Sequence, residues 1–278
     1  MRRKPAIALG LGALLILTFG LWAFWLEPAS LSVHQVSLQV PRWHDEQRGL
    51  RIAVLTDLHV GAPHMKLDKL REVVERTNRE QPDLVLMLGD MVIDDVLGGT
   101  FVEPELIAAE LGKLRAPLGT IAVLGNHDWW NDGERITQVL RQAGLTVLEN
   151  EARRIEYGGK SFWVAGIADM WTRKPDITGS IAQVNSDDPV ILITHNPDIF
   201  PDVPPRVSLT LAGHTHGGQV NLPFIGRPIV PSNFGQRYAS GHVVEDGRHL
   251  FVSDGIGTSI IPVRFRVPPE IVILTLRA

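Results

Sequence analysis

The feature that most constrains the fold is a series of short apolar runs that each end in carboxylate, amide or imidazole side chains. The run RIAVLTDLH ends in Asp57 and His59, LVLML leads to Asp90, and TIAVL leads to GNHD at 125–128. A continuous apolar run of this length is typical of a strand buried on both faces of a parallel sheet. With helices between the runs, this order predicts an α/β fold whose site lies at the carboxyl ends of the strands.

The spacing of the remaining apolar residues predicts the other elements. Leu67, Leu70 and Val73 recur at helical spacing, and a second amphipathic helix is predicted over roughly 103–115. The second half of the chain contains little helix, except over 177–184, and its predicted strands are RRIEY, KSFWVAGI, VILITH, VSLTLAG, HLFVSD and IVILTLR. Such a strand-rich half predicts a second sheet packed on the first.

Composition excludes several classes of function. The chain of 278 residues is 44% hydrophobic, which is enough to bury a sizeable core. It contains no cysteine, so disulfides, thiolate metal sites and a cysteine nucleophile are excluded. The formal net charge of −4 argues against general binding of nucleic acid, which needs a basic face.

The N-terminal stretch has the pattern of a membrane anchor. Residues 6–26 form an uncharged run of about twenty apolar or small residues, the length that an α-helix needs to cross a bilayer. Arg2, Arg3 and Lys4 precede the run, so the positive-inside tendency places the N-terminus in the cytoplasm and the remaining chain outside it. A cleaved signal peptide is the alternative, but the run is long for one and no clean A-x-A site follows Trp25. The adjacent arginines match a twin-arginine export signal poorly.

The stretch VSLTLAGHTHGGQVNL places His214 and His216 one residue apart after an apolar run. Side chains two apart on an extended segment point the same way, so both imidazoles can face one centre. His195 follows another predicted strand, and Asn126 lies in GNHD. Oxygen and imidazole ligands together suit Mn²⁺, Fe, Zn²⁺ or Co²⁺ better than Ca²⁺ or Cu(I). The sequence therefore predicts a metal site built from the strand ends.

The order DxH, GD, GNHD, a lone His and GHTH resembles the calcineurin-like metallophosphoesterases, from about Arg51 to Arg277. The stretches HNPDIFP, AGHTHGGQ and DGIGTSIIPVRFRVPPEI resemble the membrane-anchored bacterial branch of that family, which includes phosphodiesterases and relatives acting on UDP-diacylglucosamine in lipid A synthesis. The resemblance implies a four-layer αββα sandwich over residues 31–278, preceded by an anchor over 1–30. It also implies a single-pass protein of the bacterial inner membrane, whose catalytic domain the charge pattern places in the periplasm.

The resemblance further implies two divalent ions, with manganese favoured, and seven ligands. Asp90 would bridge the ions. The first ion would be held by Asp57, His59 and His216, and the second by Asn126, His195 and His214. A water shared by two metals ionises near neutral pH and can attack phosphorus in line as hydroxide.

One histidine of the motifs is not an implied ligand. His127 would donate a hydrogen bond or proton to the leaving oxygen, with Asp128 or Asp57 as candidates to orient it. The wider family often has a second acid three residues after the bridging Asp, where this chain has Ile93, although Asp94 and Asp95 follow.

Other residues are candidates for substrate contacts. Trp129 and Trp130 are either core residues or a stacking wall for the substrate. Three arginines could reach a second phosphate or form ordinary salt bridges: Arg227, Arg237 and Arg264.

Together these features predict a membrane-anchored dinuclear phosphoesterase that cleaves a phosphodiester or pyrophosphate, with a substrate in or near the lipid surface. One alternative is a UDP-2,3-diacylglucosamine pyrophosphate hydrolase of lipid A synthesis, which needs a cytoplasmic domain. The other is a non-catalytic membrane receptor that reads a phosphate ligand. The sequence does not indicate an oligomeric state.

Overall fold

Two six-stranded sheets face each other in the computed structural model, which describes residues 3–278 and the side chains from Gly10 onward. The charged side chains behind the orientation prediction, those of residues 2–4, lie outside this described part. The strands of the first sheet are β1 (Ser32–Gln39), β2 (Arg51–Leu55), β3 (Leu84–Met87), β4 (Thr120–Ala122), β5 (Thr146–Val147) and β12 (Glu270–Arg277). Those of the second are β6 (Glu151–Tyr157), β7 (Lys160–Gly166), β8 (Val190–Ile193), β9 (Leu209–Ala212), β10 (Gly241–Glu245) and β11 (Arg248–Val252).

The strand orders are β1-β12-β2-β3-β4-β5 and β10-β11-β9-β8-β7-β6. The strands β2, β3, β4 and β5 run parallel, as do β7, β8, β9 and β11. Parallel neighbours bring their carboxyl ends to the same edge of a sheet, so the loops after β2, β3, β4, β8 and β9 can meet.

The alternation of side chains along the strands explains the continuous apolar runs. In β2, Ile52 and Val54 face the core between the two sheets, whereas Ala53 and Leu55 face the helices outside the first sheet. All four side chains are fully buried. Both faces of the strand therefore need apolar residues, as expected for a sheet covered on both sides.

Helices cover the outer face of each sheet. The helices α3 (Leu67–Arg79), α4 (Pro104–Leu111) and α5 (Asn126–Gln142) cover the first sheet. The second sheet is covered by α6 (Ile177–Ala182) together with the 3-10 turns Pro197–Asp202 and Gly235–Tyr238. The predicted αββα architecture is confirmed, with a much thinner helical layer on the second sheet.

Four elements differ from the sequence prediction. The C-terminal strand β12 belongs to the first sheet, where it pairs in parallel with β1 and antiparallel with β2. The helix α5 was not predicted, although Ile136, Val139 and Leu140 lie at helical spacing and are buried against the first sheet. The short β5 and the edge strand β10 also escaped prediction, because two residues, or a half-exposed pattern, give little periodic signal.

The predicted anchor forms the helix α1 (Arg3–Leu21), which continues through a π turn (Trp22–Leu26) into the short α2 (Glu27–Ala29). Its segment Gly10–Ala29 is long and apolar enough to cross a membrane. The side chains of Leu14, Leu15 and Ile16 are well exposed, whereas Glu27 is buried against the domain.

Candidate metal centre

All seven predicted ligands lie in one place, at the carboxyl ends of strands from both sheets. Asp57 and His59 follow β2, Asp90 follows β3, and Asn126 begins α5 just after β4. From the second sheet, His195 follows β8, and the pair His214 and His216 follows β9. All seven residues are buried. Residues as far as 159 positions apart in the sequence therefore share one small volume, as the motif pattern predicts.

One cluster contains Asp57, His59 and His216, whose nitrogen and oxygen atoms lie close enough together to hold a metal ion. The Nε2 atoms of His59 and His216 are 3.1 Å apart, and Nε2 of His216 is 3.4 Å from Oδ1 of Asp57. Two imidazole nitrogens on one metal, with bonds of about 2.0–2.1 Å, are roughly 3.0–3.4 Å apart. The cluster therefore has the spacing of a ligand set.

A second cluster contains Asp90, His195 and His214. Nε2 of His195 lies 3.1 Å from Oδ2 of Asp90 and 3.2 Å from Nδ1 of His214. The same Oδ2 atom lies 3.5 Å from Nε2 of His59, a member of the first cluster. Asp90 therefore stands between the clusters, where one carboxylate can serve both.

Several buried polar atoms of the site have no hydrogen-bond partner within the described chain. The one that supports an ion at the clusters is Oδ1 of Asn126, which lines the cavity beside them; the partnerless ring nitrogens, Nδ1 of His59 and His216 and Nε2 of His214, are not the atoms that meet in the clusters. A buried polar atom without a partner is costly, and such atoms in a native structure call for an unseen partner such as an ion. The residues present thus suit a bound divalent metal.

Hydrogen bonds fix the orientation of the ligands. His195 donates from Nδ1 to the carbonyl of Leu88 at 2.7 Å, so Nε2 is the nitrogen that a metal could bind once its proton is displaced. Asp57 accepts from the hydroxyl of Thr56 at 2.7 Å and from the backbone N–H of His214. Partners of this kind set the tautomer and direction of metal ligands.

Backbone strain is concentrated at the same residues. Asp57, His59, Asp90, His214 and His216 all have positive φ, between 44° and 69°. Non-glycine residues rarely adopt this left-handed conformation, which costs about 1–3 kcal/mol at each position. Such strain persists only where the surrounding structure enforces it, and here it turns the side chains of the strand ends towards a common centre.

The carboxylate of Asp128 has other partners than His127, which the sequence had suggested. Its carboxylate does not contact His127 but accepts four backbone N–H groups, those of Asp90, Met91, Val92 and Gly125. Burial and the charge of Asp90 raise the pKa of Asp128 to about 7, against these donors, which favour the ionised form. Asp128 therefore holds the loop that carries Asp90. Of the two carboxylates considered for orienting His127, neither Asp128 nor Asp57 is paired with its ring, whose carboxylate neighbours are Asp90 and Asp94.

The carboxylate nearest to Nδ1 of His127 is that of Asp94. Its Oδ2 lies 3.9 Å from Nδ1 of His127, while Nε2 of the same ring lies 3.9 Å from Oδ2 of Asp90. The apolar Ile93, which stands in the position of the family's second acid, is buried between the first sheet and the helices that cover it. Asp94 thus stands one residue beyond the position of the family's second acid, without a hydrogen bond to His127.

Burial and neighbouring charges shift the pKa values of the acidic and histidine side chains in the site. Burial opposes the charge of both Asp90 and His195, but their mutual attraction prevails, so the pKa of Asp90 is well below its usual value and that of His195 rises to about 10. Burial lowers the pKa of His59 and His214 to about 3 and raises that of Asp57 to about 6. At neutral pH, His59 and His214 are therefore neutral and can offer lone pairs.

A cavity of about 300 Å³ opens beside the clusters. Its walls include Trp130 and Trp171, whose rings meet His127 and His214 edge-on at 5.0 and 4.3 Å. Trp129 instead packs against the apolar residues between the first sheet and its covering helices, and the guanidinium of Arg173 lies 4.3 Å from the centre of its ring. Sequence reasoning missed Trp171, because it lies in a loop without a motif, and the apolar Ile229 and Ile260, which also line the cavity.

The three arginines considered for a second phosphate do not line this cavity. Arg264 is fully buried and donates to the backbone carbonyls of Asp254, Gly257 and Val267. The guanidinium of Arg237 forms a bidentate pair with Glu245. The side chain of Arg227 donates to the carbonyl of Gly217. Each is therefore engaged within the protein.

Known proteins share this chain's sequence over most of its length. Residues 50–218, which include all seven predicted ligands, match the calcineurin-like phosphoesterase family. The metallophosphoesterase YkuE of Bacillus subtilis is 32% identical over 265 residues, covering 92% of this chain and 89% of that protein. The phosphodiesterase YaeI of Escherichia coli is 31% identical over 244 residues, 84% of each chain. A Danio rerio "transmembrane protein with metallophosphoesterase domain" is 28% identical over 280 residues, 95% of this chain and 62% of that protein.

Proposed function

Because the chain belongs to the calcineurin-like phosphoesterase family and is a metal-dependent phosphoester hydrolase, we propose that it cleaves a phosphodiester or pyrophosphate bond at a centre of two divalent ions. The observation that carries the proposal is the pair of ligand clusters joined by Asp90. The name of the E. coli relative, a phosphodiesterase, favours the diester.

The donor set supports two ions of the Mn²⁺, Fe, Zn²⁺ or Co²⁺ class, with manganese favoured. Asp57, His59 and His216 would hold one, Asn126, His195 and His214 the other, and Asp90 both. Two divalent ions held there would supply a nucleophile by lowering the pKa of a shared water, and they would neutralise charge on the phosphate oxygens. The protein's own contribution is to fix the ligands before substrate arrives, through the buried hydrogen bonds around them.

His127 is proposed to donate a proton to the leaving oxygen. Its ring lines the cavity, and its side chain keeps a small exposed fraction of 12%. Nδ1 lies 3.9 Å from a carboxylate oxygen of Asp94, and Nε2 lies 3.9 Å from one of Asp90. General acid catalysis of this kind contributes roughly 10²–10⁴-fold in rate.

We further propose that the N-terminal helix anchors the enzyme in the bacterial inner membrane, with the domain in the periplasm and a substrate near the lipid surface. The exposed apolar helix supports this, as does the transmembrane designation of the Danio rerio relative. Alkaline phosphatase fused after Ala278 should be active in intact cells, since that enzyme folds only in the periplasm. An inactive, full-length fusion would overturn the periplasmic orientation and favour an inner-leaflet substrate.

The chemistry is tested with full-length protein in detergent. With Mn²⁺, it should hydrolyse a soluble aryl phosphodiester, and a chelator should abolish turnover. His216→Gln should lose activity, whereas His249→Gln, which changes a histidine outside the site, should not. Metal-loaded protein that turns over neither aryl diesters nor pyrophosphates would overturn the proposal.

A further inference from the structure

Five large apolar side chains are exposed on two adjoining segments, of which Ile229 and Ile260 line the cavity: Phe224, Ile225, Ile229, Ile260 and Ile261, here called the apolar rim. Phe224 is fully exposed, and Ile229 and Ile260 are 77% and 70% exposed. Contiguous exposed apolar residues are unusual on a soluble surface and mark a site of interaction.

The apolar rim is joined to the end of the N-terminal helix through neighbouring backbone. The N–H of Arg264 donates to the carbonyl of Ala23 at 2.9 Å, and the rings of Phe265 and Phe19 are 4.5 Å apart. The carbonyl of Phe265 in turn accepts from Asn221, which leads into the turn 222–226 with Phe224 at its tip. The rim is therefore attached to the last turns of the helix rather than to a distant face.

The helix indicates where a bilayer surface would lie. Its side chains from Leu11 to Leu17 are exposed, apart from a partly buried residue, and Trp22 and Trp25 near its end are also exposed. Tryptophan is enriched at the membrane–water interface, where its amphipathic ring is accommodated. Phe265 contacts Phe19, and Arg264, three residues after Ile261, bonds to Ala23, so the rim lies near the level of these last turns.

The cavity connects this rim to the metal centre. Ile229 and Ile260 belong to the apolar rim and also line the cavity that holds His127 and His214. An exposed arginine, Arg266, follows Phe265 at the same edge. Apolar side chains that are flanked by a cation match the acyl region and the phosphate headgroups of a lipid surface.

We propose that the apolar rim inserts into the bilayer interface beside the helix, so that the cavity opens onto the lipid surface and takes the phosphoester headgroup of an amphiphile. The occupant is a lipid surface rather than a protein, because the rim adjoins a helix whose apolar side chains, from Leu11 onward, are exposed. The insertion itself is independent of catalysis, whereas the amphiphilic substrate rests on the proposed hydrolase function.

Single-cysteine labelling tests the insertion, since the chain has no cysteine of its own. Full-length Ile225→Cys and Ile261→Cys, carrying an environment-sensitive fluorophore, are placed in phosphatidylcholine nanodiscs with or without brominated acyl chains. Val244→Cys, at an exposed position on the edge strand β10, is the matched control. Bromolipid should quench the labels at 225 and 261 but not at 244. Labels at 225 and 261 that are no more quenched than the control would overturn the insertion, whether they are free in solvent or covered by protein.

A kinetic measurement tests the consequence for substrate. The double variant Phe224→Asp, Ile225→Asp changes rim residues that do not line the cavity. Turnover of a soluble aryl phosphodiester should be unchanged, and turnover of a long-chain alkyl aryl phosphodiester in vesicles should fall roughly tenfold or more. If the variant keeps the wild-type rate on both substrates, or loses the same fraction of it on both, the amphiphile proposal is overturned. If the wild-type protein itself turns over neither substrate, the hydrolase proposal has failed. The quenching measurement still tests the insertion in that case.

Discussion

One buried carboxylate holds the loop that carries Asp90, and replacing it with an amide tests how the site is built. In Asp128, Oδ2 accepts the N–H groups of Asp90 and Gly125 at 2.9 and 3.0 Å, and Oδ1 accepts those of Met91 and Val92 at 2.9 and 3.2 Å. In Asp128→Asn, one pair of donors must face an NH₂ group, which cannot accept. Two buried donors then lose their acceptor whichever way the amide turns.

The expected magnitude follows from the number of donors left without a partner. Each buried, unsatisfied donor costs about 1–3 kcal/mol, so the two together cost about 2–6 kcal/mol. Asp169→Asn is the matched control. Asp169 is equally buried, but its Oδ2 accepts all three of its hydrogen bonds and Oδ1 has no partner. The amide oxygen can therefore keep all three existing donors satisfied. Both variants bring a buried NH₂ group in place of a carboxylate oxygen, so they differ in the two backbone N–H groups that lose their acceptor only in Asp128→Asn.

The assay is urea unfolding of the full-length variants in detergent, followed by tryptophan fluorescence. The unfolding free energy of Asp128→Asn should lie about 2–6 kcal/mol below that of Asp169→Asn. Turnover of an aryl diester should also fall, because the backbone of Asp90 is released. If both variants unfold at the same urea concentration, the assigned role of Asp128 is refuted.

Three further outcomes follow from the site and the helix. His127→Gln should lower diester turnover by roughly 10²–10⁴-fold with metal content unchanged, and unaltered turnover would remove its proposed role. Because the pKa of His195 is raised to about 10, its ring is protonated at pH 7 without metal, so Mn²⁺ must displace a proton. Calorimetric titration at pH 7 should detect this release, and the apparent affinity should rise from pH 7 towards 10; an affinity independent of pH contradicts the protonated state. Glu27→Ala removes the acceptor of the buried N–H of Val267 and should lower stability by about 1–3 kcal/mol, more than Glu27→Gln does.

The residues that cluster at the candidate centre could be predicted from the sequence because their signal is local. Each follows an apolar run, and strand burial on both faces makes such runs easy to read, as in β2 with Asp57 and His59. Parallel pairing then brings the run ends together without further information. That is why residues in five separate motifs could be assigned to one site before any geometry was known.

The remaining features depend on long-range contacts that no local pattern encodes. The position of β12 is set by pairing with β1 and β2, more than 200 residues away. The role of Asp128 depends on four N–H groups, three of them from a neighbouring loop, and the burial of Arg264 depends on carbonyls that turn inward. Trp171 reaches the cavity from a loop whose path follows the fold alone.

The central claim is that seven residues from both sheets hold two ions that share Asp90. The most direct measurement is the metal content of the full-length protein after exposure to Mn²⁺ and removal of excess, for the wild type, His59→Gln, His195→Gln and Asp90→Ala. We expect about two ions per chain in the wild type, about one in either histidine variant, and fewer than one in Asp90→Ala. A wild type that holds no tightly bound metal, or histidine variants that keep the full complement, would contradict the account.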